Sequence, residues 1–202
     1  MYGLGQLGEV EGKIYKDWAE IDVIPHEARL ERYGLDFGYN DPSAIVAIYR
    51  YNGGYILDEI AFTKGLSNKQ IADILANYPS ALVVADSAEP KSIHEIASYG
   101  ISIIPAQKGN DSVRNGIQLV QSQRISVTKS STNIIKEYRN YLWATDREGK
   151  ILNEPEHLYS HSMDSIRYAL SSMIDSMPEH LQNKQEQHFA YNINHRNLNS
   201  TK

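Results

Sequence analysis

The sequence predicts an α/β protein in which helices cover one mixed β-sheet, and three observations support this. Two strand-like segments, 44–51 and 55–60, flank a Gly-containing turn and form a predicted hairpin. Short apolar runs then alternate with segments of helical spacing as far as residue 173. The length of 202 residues and the hydrophobic content of 41% suffice for one domain with a sizeable core. This order of elements favours a sheet with helices packed against it.

The first 30 residues are mixed in composition, Gly-rich at first and interrupted by Pro25. We expect a connector that leads into the domain rather than a core element. The segment from Gly8 to Lys13 has some features of a phosphate-binding loop, but its spacing is one residue short. Ile14 also stands where that loop requires Ser or Thr. The sequence therefore contains no recognisable ATPase motif.

From residue 32 onward the strand and helix signals are clear. Tyr33 to Phe37 predicts a strand, residues 38–42 have the composition of a turn, and the predicted hairpin follows. Beyond it, helical spacing, caps and breakers predict the remaining elements. These are a helix capped by Ser67, a buried strand at 81–85, a helix at 90–99 ending at Gly100, a strand at 101–105, a helix at 112–121, a strand at 124–128, a helix at 132–143, a hairpin tip at 146–150 and a helix at 162–173.

The chain is predicted to comprise a connector at 1–30, a domain at 31–177 and a weakly ordered tail at 178–202. The tail is rich in Asn, Gln and His and has few apolar residues. The absence of cysteine excludes disulfides and thiolate metal sites, and a reducing, cytoplasmic setting fits it. No apolar stretch approaches the roughly 18 to 20 residues of a membrane span, and no signal-peptide pattern is present.

Three acidic segments are the best candidates for a functional site. Asp36 lies near the end of the first predicted strand, Asp86 follows the apolar run at 82–85, and Asp164 falls on the last helix. Ligands of such sheets bind at strand ends where the topology switches, and Asp36 and Asp86 both fit such a position. Converging carboxylates suit hard divalent cations such as Mg²⁺. Two such cations, roughly 3.5 to 4 Å apart, could drive phosphodiester cleavage.

Each of these residues also has a structural interpretation. Asp36 alone could be a solvated edge residue, and Asp86 could be a helix cap. His161, three residues before Asp164, either shares its helix face or flanks the helix cap. In a shared cleft the three carboxylates would repel one another and raise their pKa values, a bound cation would remove that penalty, and His161 could ligate it or transfer a proton.

Basic residues near these segments are candidates for DNA binding. The net charge of −5 gives no overall attraction for nucleic acid, so binding would need a local basic patch or metal ions. Lys108 precedes a helix start that could hold a phosphate, although it could equally be a solvated loop residue. Lys91 and Arg114 are weaker candidates. Glu89 could reach a metal, but we favour a helix cap.

Four segments occur in an order that is specific to one family: residues 34–42, 85–93, 108–117 and 161–169. They resemble the C-terminal nuclease domain of the large terminase subunit of tailed bacteriophages, and the match extends from about residue 15 to 173. The resemblance implies a ribonuclease H-like fold and a metal-dependent endonuclease that cuts concatemeric viral double-stranded DNA. It implies Mg²⁺ or Mn²⁺ ligands at Asp36, Asp86 and Asp164, with His161 beside them.

In that family the nuclease domain follows an ATPase motor, so the chain resembles an excised domain or a prophage fragment, with residues 1–30 as the linker. The resemblance implies the ATPase domain, the small terminase subunit and the portal as partners, in the host bacterial cytoplasm. Two alternatives stay open. One is another ribonuclease H-like nuclease, such as a junction resolvase, and the other is a non-catalytic module that docks on DNA or the portal.

Overall fold

The computed structural model describes residues 12–109 and 111–175. Most of the Gly8–Lys13 segment and the predicted tail at 178–202 lie outside these residues. The strands are β1 (Ala19–Ile21), β2 (Arg29–Asp36), β3 (Pro42–Tyr51), β4 (Gly54–Lys64), β5 (Leu82–Ala85), β6 (Ile103–Pro105), β7 (Ile125–Thr128), β8 (Trp143–Thr145) and β9 (Ile151–Pro155). The helices are α1 (Asn68–Ala76), α2 (Pro90–Ser98), α3 (Ser112–Ser122), α4 (Thr132–Asn140) and α5 (His161–Asp175).

Seven strands form one mixed sheet in the order β1-β7-β4-β3-β2-β5-β6. Strand β3 pairs antiparallel with β2 and β4, whereas β5 and β6 extend the sheet parallel to β2. On the other side β7 pairs parallel with β4, and β1 pairs parallel with β7. The predicted mixed α/β fold is confirmed. In the part of the chain that the structure describes, no helix is both long and apolar enough to cross a membrane.

The core lies on both faces of the sheet because successive residues of the central strand β3 point to opposite sides. Val46 and Ile48 pack with α3, α4 and α5, whereas Ile45 and Ala47 pack with α1 and α2. A strand buried on both faces is apolar almost throughout, as the sequence of β3 is. The helix that carries Asp164 therefore lies on the face that α3 and α4 share.

Glycine allows α5 to lie close to the sheet. A Cβ atom added to Gly34 in β2 would lie 2.0 Å from the backbone oxygen of Ser165 in α5, so any larger residue would push the two apart. Gly34 is two residues from Asp36, and Ser165 follows Asp164. This close approach therefore places the start of α5 beside the end of β2.

The expectation that residues 1–30 contain no core element was wrong for their described part. Ile14 and Tyr15 are 2% and 0% exposed in the core, and β1 adds a strand to the sheet. The Gln121 side chain donates to the backbone oxygen of Ile14 at 2.8 Å. The segment was missed because its apolar residues are too few to give a periodic pattern. The division into 1–30, 31–177 and 178–202 stays a prediction.

One helix is shorter than the sequence predicts. The helix predicted at 132–143 ends at Asn140. Beyond it, Leu142 pairs with Lys13, and the Trp143 amide donates to the Gly12 oxygen at 3.0 Å. Tertiary pairing thus overrides the apolar spacing at its end. The predicted hairpin tip at 146–150 is confirmed, since it connects β8 to β9.

Candidate active site

Asp36 and Asp86 lie side by side at the carboxyl ends of two adjacent parallel strands. Leu35 of β2 pairs with Ala85 of β5, so the residue that follows each pair extends from the same edge of the sheet. The Asp86 amide also donates to the Leu35 oxygen at 3.1 Å. The Ala88 amide donates to Asp86 Oδ1 at 3.0 Å and so holds that side chain in a local turn. Sheet geometry therefore brings two predicted site residues together.

Asp164 approaches the same edge from α5, and its charge acts on Asp36. Burial raises the pKa of Asp36 from 3.8 to about 6. The hydrogen bond with His161 opposes this rise, whereas the charges of Asp164 and Asp86 add to it. The charges of Asp164 and Asp86 thus both favour the protonated form of Asp36, as expected for carboxylates near one another.

His161 is the first residue of α5, and its ring binds Asp36. Nδ1 lies 3.0 Å from Asp36 Oδ2, and the Phe62 ring meets the imidazole edge-on with 6.4 Å between ring centroids. The hydrogen bond to Asp36 is the main cause that raises the pKa of His161. An imidazole that donates through Nδ1 keeps Nε2 for a second partner.

Of the three basic candidates, the structure brings Lys108 to the carboxylates. Its Nζ lies 2.5 Å from Asp86 Oδ1. Lys91 and Arg114 are exposed on the first turns of α2 and α3, and neither contacts the three aspartates among the described residues. Glu89 occupies the N-cap position of α2, as predicted, but its carboxylate makes no capping hydrogen bond.

Two buried residues that support the site were missed in the sequence. The Arg167 guanidinium donates to Asp164 Oδ1 at 2.7 Å. Glu137 of α4 accepts the Ser162 amide at 2.6 Å and so caps the start of α5 across the fold. Burial raises the pKa of Glu137, and the hydrogen bond from the Ser162 amide opposes this rise. Arg167 had one signal, its spacing of three from Asp164, whereas Glu137 looks like an ordinary solvated helix residue.

No ready-made cluster of three or more His, Asp or Glu ligands for a metal exists within 12–109 and 111–175. Each aspartate is instead bound to a basic side chain: Asp36 to His161, Asp86 to Lys108 and Asp164 to Arg167. The hydrogen bonds and ion pairs recorded within the described residues engage one oxygen of each carboxylate, Oδ2 of Asp36 and Oδ1 of the other two. The other oxygen of each of the three carboxylates is therefore available to another ligand.

The sheet order, the packed helix α5 and the acidic strand ends define a ribonuclease H-like domain. The chain belongs to the family of the Terminase RNAseH like domain, whose model matches residues 36–172. This confirms the family that the four sequence segments predict.

Individual relatives agree with this assignment. The chain is 38% identical over 148 residues to the large terminase subunit of Bacillus phage SPP1. That alignment covers 68% of this chain and 35% of the SPP1 protein. The nuclease domain of the SPP1 large terminase, solved with bound Mn, superimposes with a TM-score of 0.69. It is 29% identical, and the match covers 79% of this chain and 98% of that domain.

A more distant structure shares the fold. The large terminase nuclease from the thermophilic phage G20c, solved with bound magnesium, gives a TM-score of 0.55 at 21% identity. That match covers 74% of this chain and 84% of the solved chain.

Proposed function

We propose that this chain is the nuclease part of a phage DNA-packaging terminase, which cuts concatemeric double-stranded DNA by metal-dependent phosphodiester hydrolysis. The proposal is supported by the position of Asp36 and Asp86 at the carboxyl ends of the adjacent strands β2 and β5. It is also supported by Asp164 on α5, whose charge acts on Asp36. We assign these three residues as metal ligands, with His161 as their neighbour in catalysis.

The chemistry of the donors fits Mg²⁺ or Mn²⁺. Carboxylate oxygens are the ligands that these hard cations prefer, and each aspartate has one oxygen outside the recorded bonds of the described residues. Burial, and after it the charges of Asp164 and Asp86, raise the pKa of Asp36, and a bound cation would favour its ionised form. The bound Mn of the SPP1 nuclease domain and the magnesium of the G20c nuclease support the same choice. A pair of such ions would activate a water molecule and stabilise the leaving oxygen.

The chain's own side chains orient the ligands and the DNA. His161 holds one oxygen of Asp36 through Nδ1, so the carboxylate cannot rotate freely. Lys108 is half exposed and forms an ion pair with Asp86; if a cation bound Asp86, Lys108 would be free to contact a DNA phosphate instead. The exposed Lys91 and Arg114 would contact the DNA backbone farther from the reacting phosphate.

We further propose the assembly in which this nuclease acts. In the division into 1–30, 31–177 and 178–202, the first segment joins an ATPase motor to the nuclease domain and also contributes Ile14, Tyr15 and β1 to its core, and the last segment is a tail. The small terminase subunit and the portal are the other partners, and the complex works in the cytoplasm of the host bacterium. The chain spans 35% of the length of the SPP1 subunit, which leaves ample sequence for such a motor.

One observation favours a second function, a module that grips DNA without cutting it. Each aspartate already has a basic partner, His161, Lys108 or Arg167, so these carboxylates do not need a cation to be paired. The two functions differ in whether a divalent cation displaces these partners and supports cleavage.

Supercoiled plasmid distinguishes them. The chain is incubated with plasmid and Mn²⁺, Mg²⁺ or EDTA, in parallel with Asp86→Asn and with Asp73→Asn. Asp73 forms a surface ion pair with Lys69, so its substitution controls for loss of an aspartate. We expect metal-dependent nicking and linearisation that Asp86→Asn abolishes and Asp73→Asn retains. Cation-dependent binding without cleavage, from folded protein, would favour the docking module, and preferential cutting of branched DNA would favour a resolvase.

A further inference from the structure

Arg167 is buried beside the candidate active site, which is unusual for an arginine. The residue is 7% exposed, and its guanidinium donates to Asp164 Oδ1 at 2.7 Å. Arginine is almost never buried to this extent unless it is paired. In this case the partner is one of the proposed metal ligands, three residues earlier on the same helix.

The surrounding structure makes room for this side chain. A Cβ atom added to Gly116 of α3 would lie 2.7 Å from Cγ and 2.8 Å from Cδ of Arg167, so glycine is needed where the arginine stem crosses α3. The guanidinium carbon also lies 4.8 Å from the centroid of the Tyr168 ring, in a cation–π contact. The stem and the head group are thus both held in place.

The hydrogen bond from Arg167 to Asp164 only partly offsets the free-energy cost of burying the guanidinium, so stabilisation of the fold does not explain why it is buried. Among the described residues its Nε has no hydrogen-bond partner, and the same holds for the buried hydroxyls of Tyr15 and Tyr141, which sense its charge. Buried polar groups without partners are unfavourable, and a buried ion pair is weak evidence of stabilisation. A specific effect on Asp164 accounts better for an arginine at this position.

We propose that Arg167 is a positioning residue for Asp164. Arg167 binds Oδ1 of the Asp164 carboxylate and so leaves Oδ2 oriented to bind a divalent cation. This proposal rests on the nuclease function proposed above. The hydrogen bond restricts rotation of the carboxylate before the cation arrives. The positive charge of Arg167 by itself repels a cation, so orientation and charge have opposite effects on metal affinity. The sign of the change on removing Arg167 therefore shows which effect dominates.

The test measures Mn²⁺ binding to the full chain without DNA by isothermal titration calorimetry, and the melting temperature without metal. The variants are Arg167→Gln, Arg167→Lys and Gly116→Ala, which displaces the arginine stem without touching a carboxylate. We expect Arg167→Gln to weaken Mn²⁺ binding about 10- to 100-fold, as loss of an orienting partner does at other metal sites. The Mn²⁺ affinity of Arg167→Lys should lie between those of Arg167→Gln and wild type. Gly116→Ala should also bind Mn²⁺ more weakly than wild type.

Tyr33→Phe is the matched control. It removes a hydrogen bond from the Tyr33 hydroxyl to the Pro79 oxygen in the other core cluster, so it should lower the melting temperature and leave Mn²⁺ affinity unchanged. A folded Arg167→Gln that binds Mn²⁺ as tightly as wild type, or more tightly, would overturn the proposal. If Arg167→Gln does not fold, Arg167→Lys and Gly116→Ala decide by the same criterion.

Failure of the underlying function has a different signature. Wild-type protein that binds no Mn²⁺, or Asp164→Asn that binds it as well as wild type, contradicts the metal site itself. Wild-type binding that Asp164→Asn weakens and the Arg167 variants leave unchanged contradicts only the role of Arg167.

Discussion

Asp36 is expected to destabilise the metal-free protein at neutral pH. Its pKa is about 6 in the folded chain because of burial and the charges of Asp164 and Asp86, against an ordinary value of 3.8. The folded state therefore binds the proton more tightly than the unfolded state. Stability must fall as pH rises from about 4 to above 6, and it stays lower at higher pH.

Asp36→Asn removes this ionisation. Without metal at pH 7.5 we expect the variant to unfold in urea with a free energy up to about 3 kcal/mol higher than wild type, because one pKa unit corresponds to about 1.4 kcal/mol. Near pH 3.5 the two proteins should be equally stable. Saturating Mn²⁺ should stabilise wild type and leave the variant unchanged. A variant that is less stable than wild type at both pH values would contradict the cause assigned to the shift.

The sequence allows the acidic residues to be predicted but not their partners. Asp36 and Asp86 each follow an apolar run, which is a local signal that parallel strands then bring together. Glu137 gives no such signal because it lies between Lys136 and Tyr138 on a polar-looking helix, and it becomes buried only when α4 packs on α5. Residues whose role depends on a distant element are visible only in the folded chain.

At the scale of elements, the contact between β2 and α5 depends on Gly34. We expect Gly34→Ala to lower the free energy of unfolding by at least about 1 to 3 kcal/mol, the usual effect of overpacking, because its Cβ would meet backbone rather than a movable side chain. The displaced helix carries Asp164, so DNA cleavage should also fall.

Gly109→Ala is the matched control for this substitution. A Cβ atom there meets nothing within 4 Å, and the variant should unfold at the urea concentration of wild type. A Gly34→Ala protein with wild-type stability would show that β2 and α5 separate without cost.

The carboxylate of Glu137 is expected to hold the first turn of α5. Glu137→Ala leaves the Ser162 amide without its acceptor, so we expect a loss of about 1 to 3 kcal/mol in unfolding free energy. Glu137→Gln keeps an acceptor oxygen and should lose less. Amide hydrogen exchange at Ser162 should accelerate more in the alanine variant, and equal exchange in both would contradict the capping role.

Whether an element could be predicted depended on whether its signal was local. The helix after Ser67 was predicted from its cap, and the structure contains the complete capping box with Gln70. Strand β1 was not predicted because its three residues, Ala-Glu-Ile, are too few to establish an alternating pattern and rely on pairing with β7. The end of α4 was misplaced for the same reason, since distant pairing with residues 12 and 13 interrupts it.

At the scale of the whole molecule, residues 12–21 are part of the nuclease fold. Tyr15 stacks on Trp18 and packs against Tyr141 with the rings tilted, with 5.3 Å between ring centroids in each pair. The Ile14 amide donates to the Tyr141 backbone oxygen at 3.0 Å. A motor attached to this segment would therefore pull directly on the core around α4 and α5. A loosely tethered connector would not transmit force in this way.

Deletion of residues 1–21 should accordingly abolish cooperative unfolding, measured by circular dichroism during urea denaturation, because it removes β1 and the buried Ile14 and Tyr15. Tyr15→Ala tests the same packing in a chain of full length. Loss of a large buried aromatic residue should cost about 3 to 5 kcal/mol. Tyr39→Ala, at a residue that is 74% exposed, should change stability by less than about 0.5 kcal/mol. If the deleted chain still unfolds cooperatively and Tyr15→Ala matches Tyr39→Ala, the segment is a mere tether, and any coupling between motor and nuclease must use another surface.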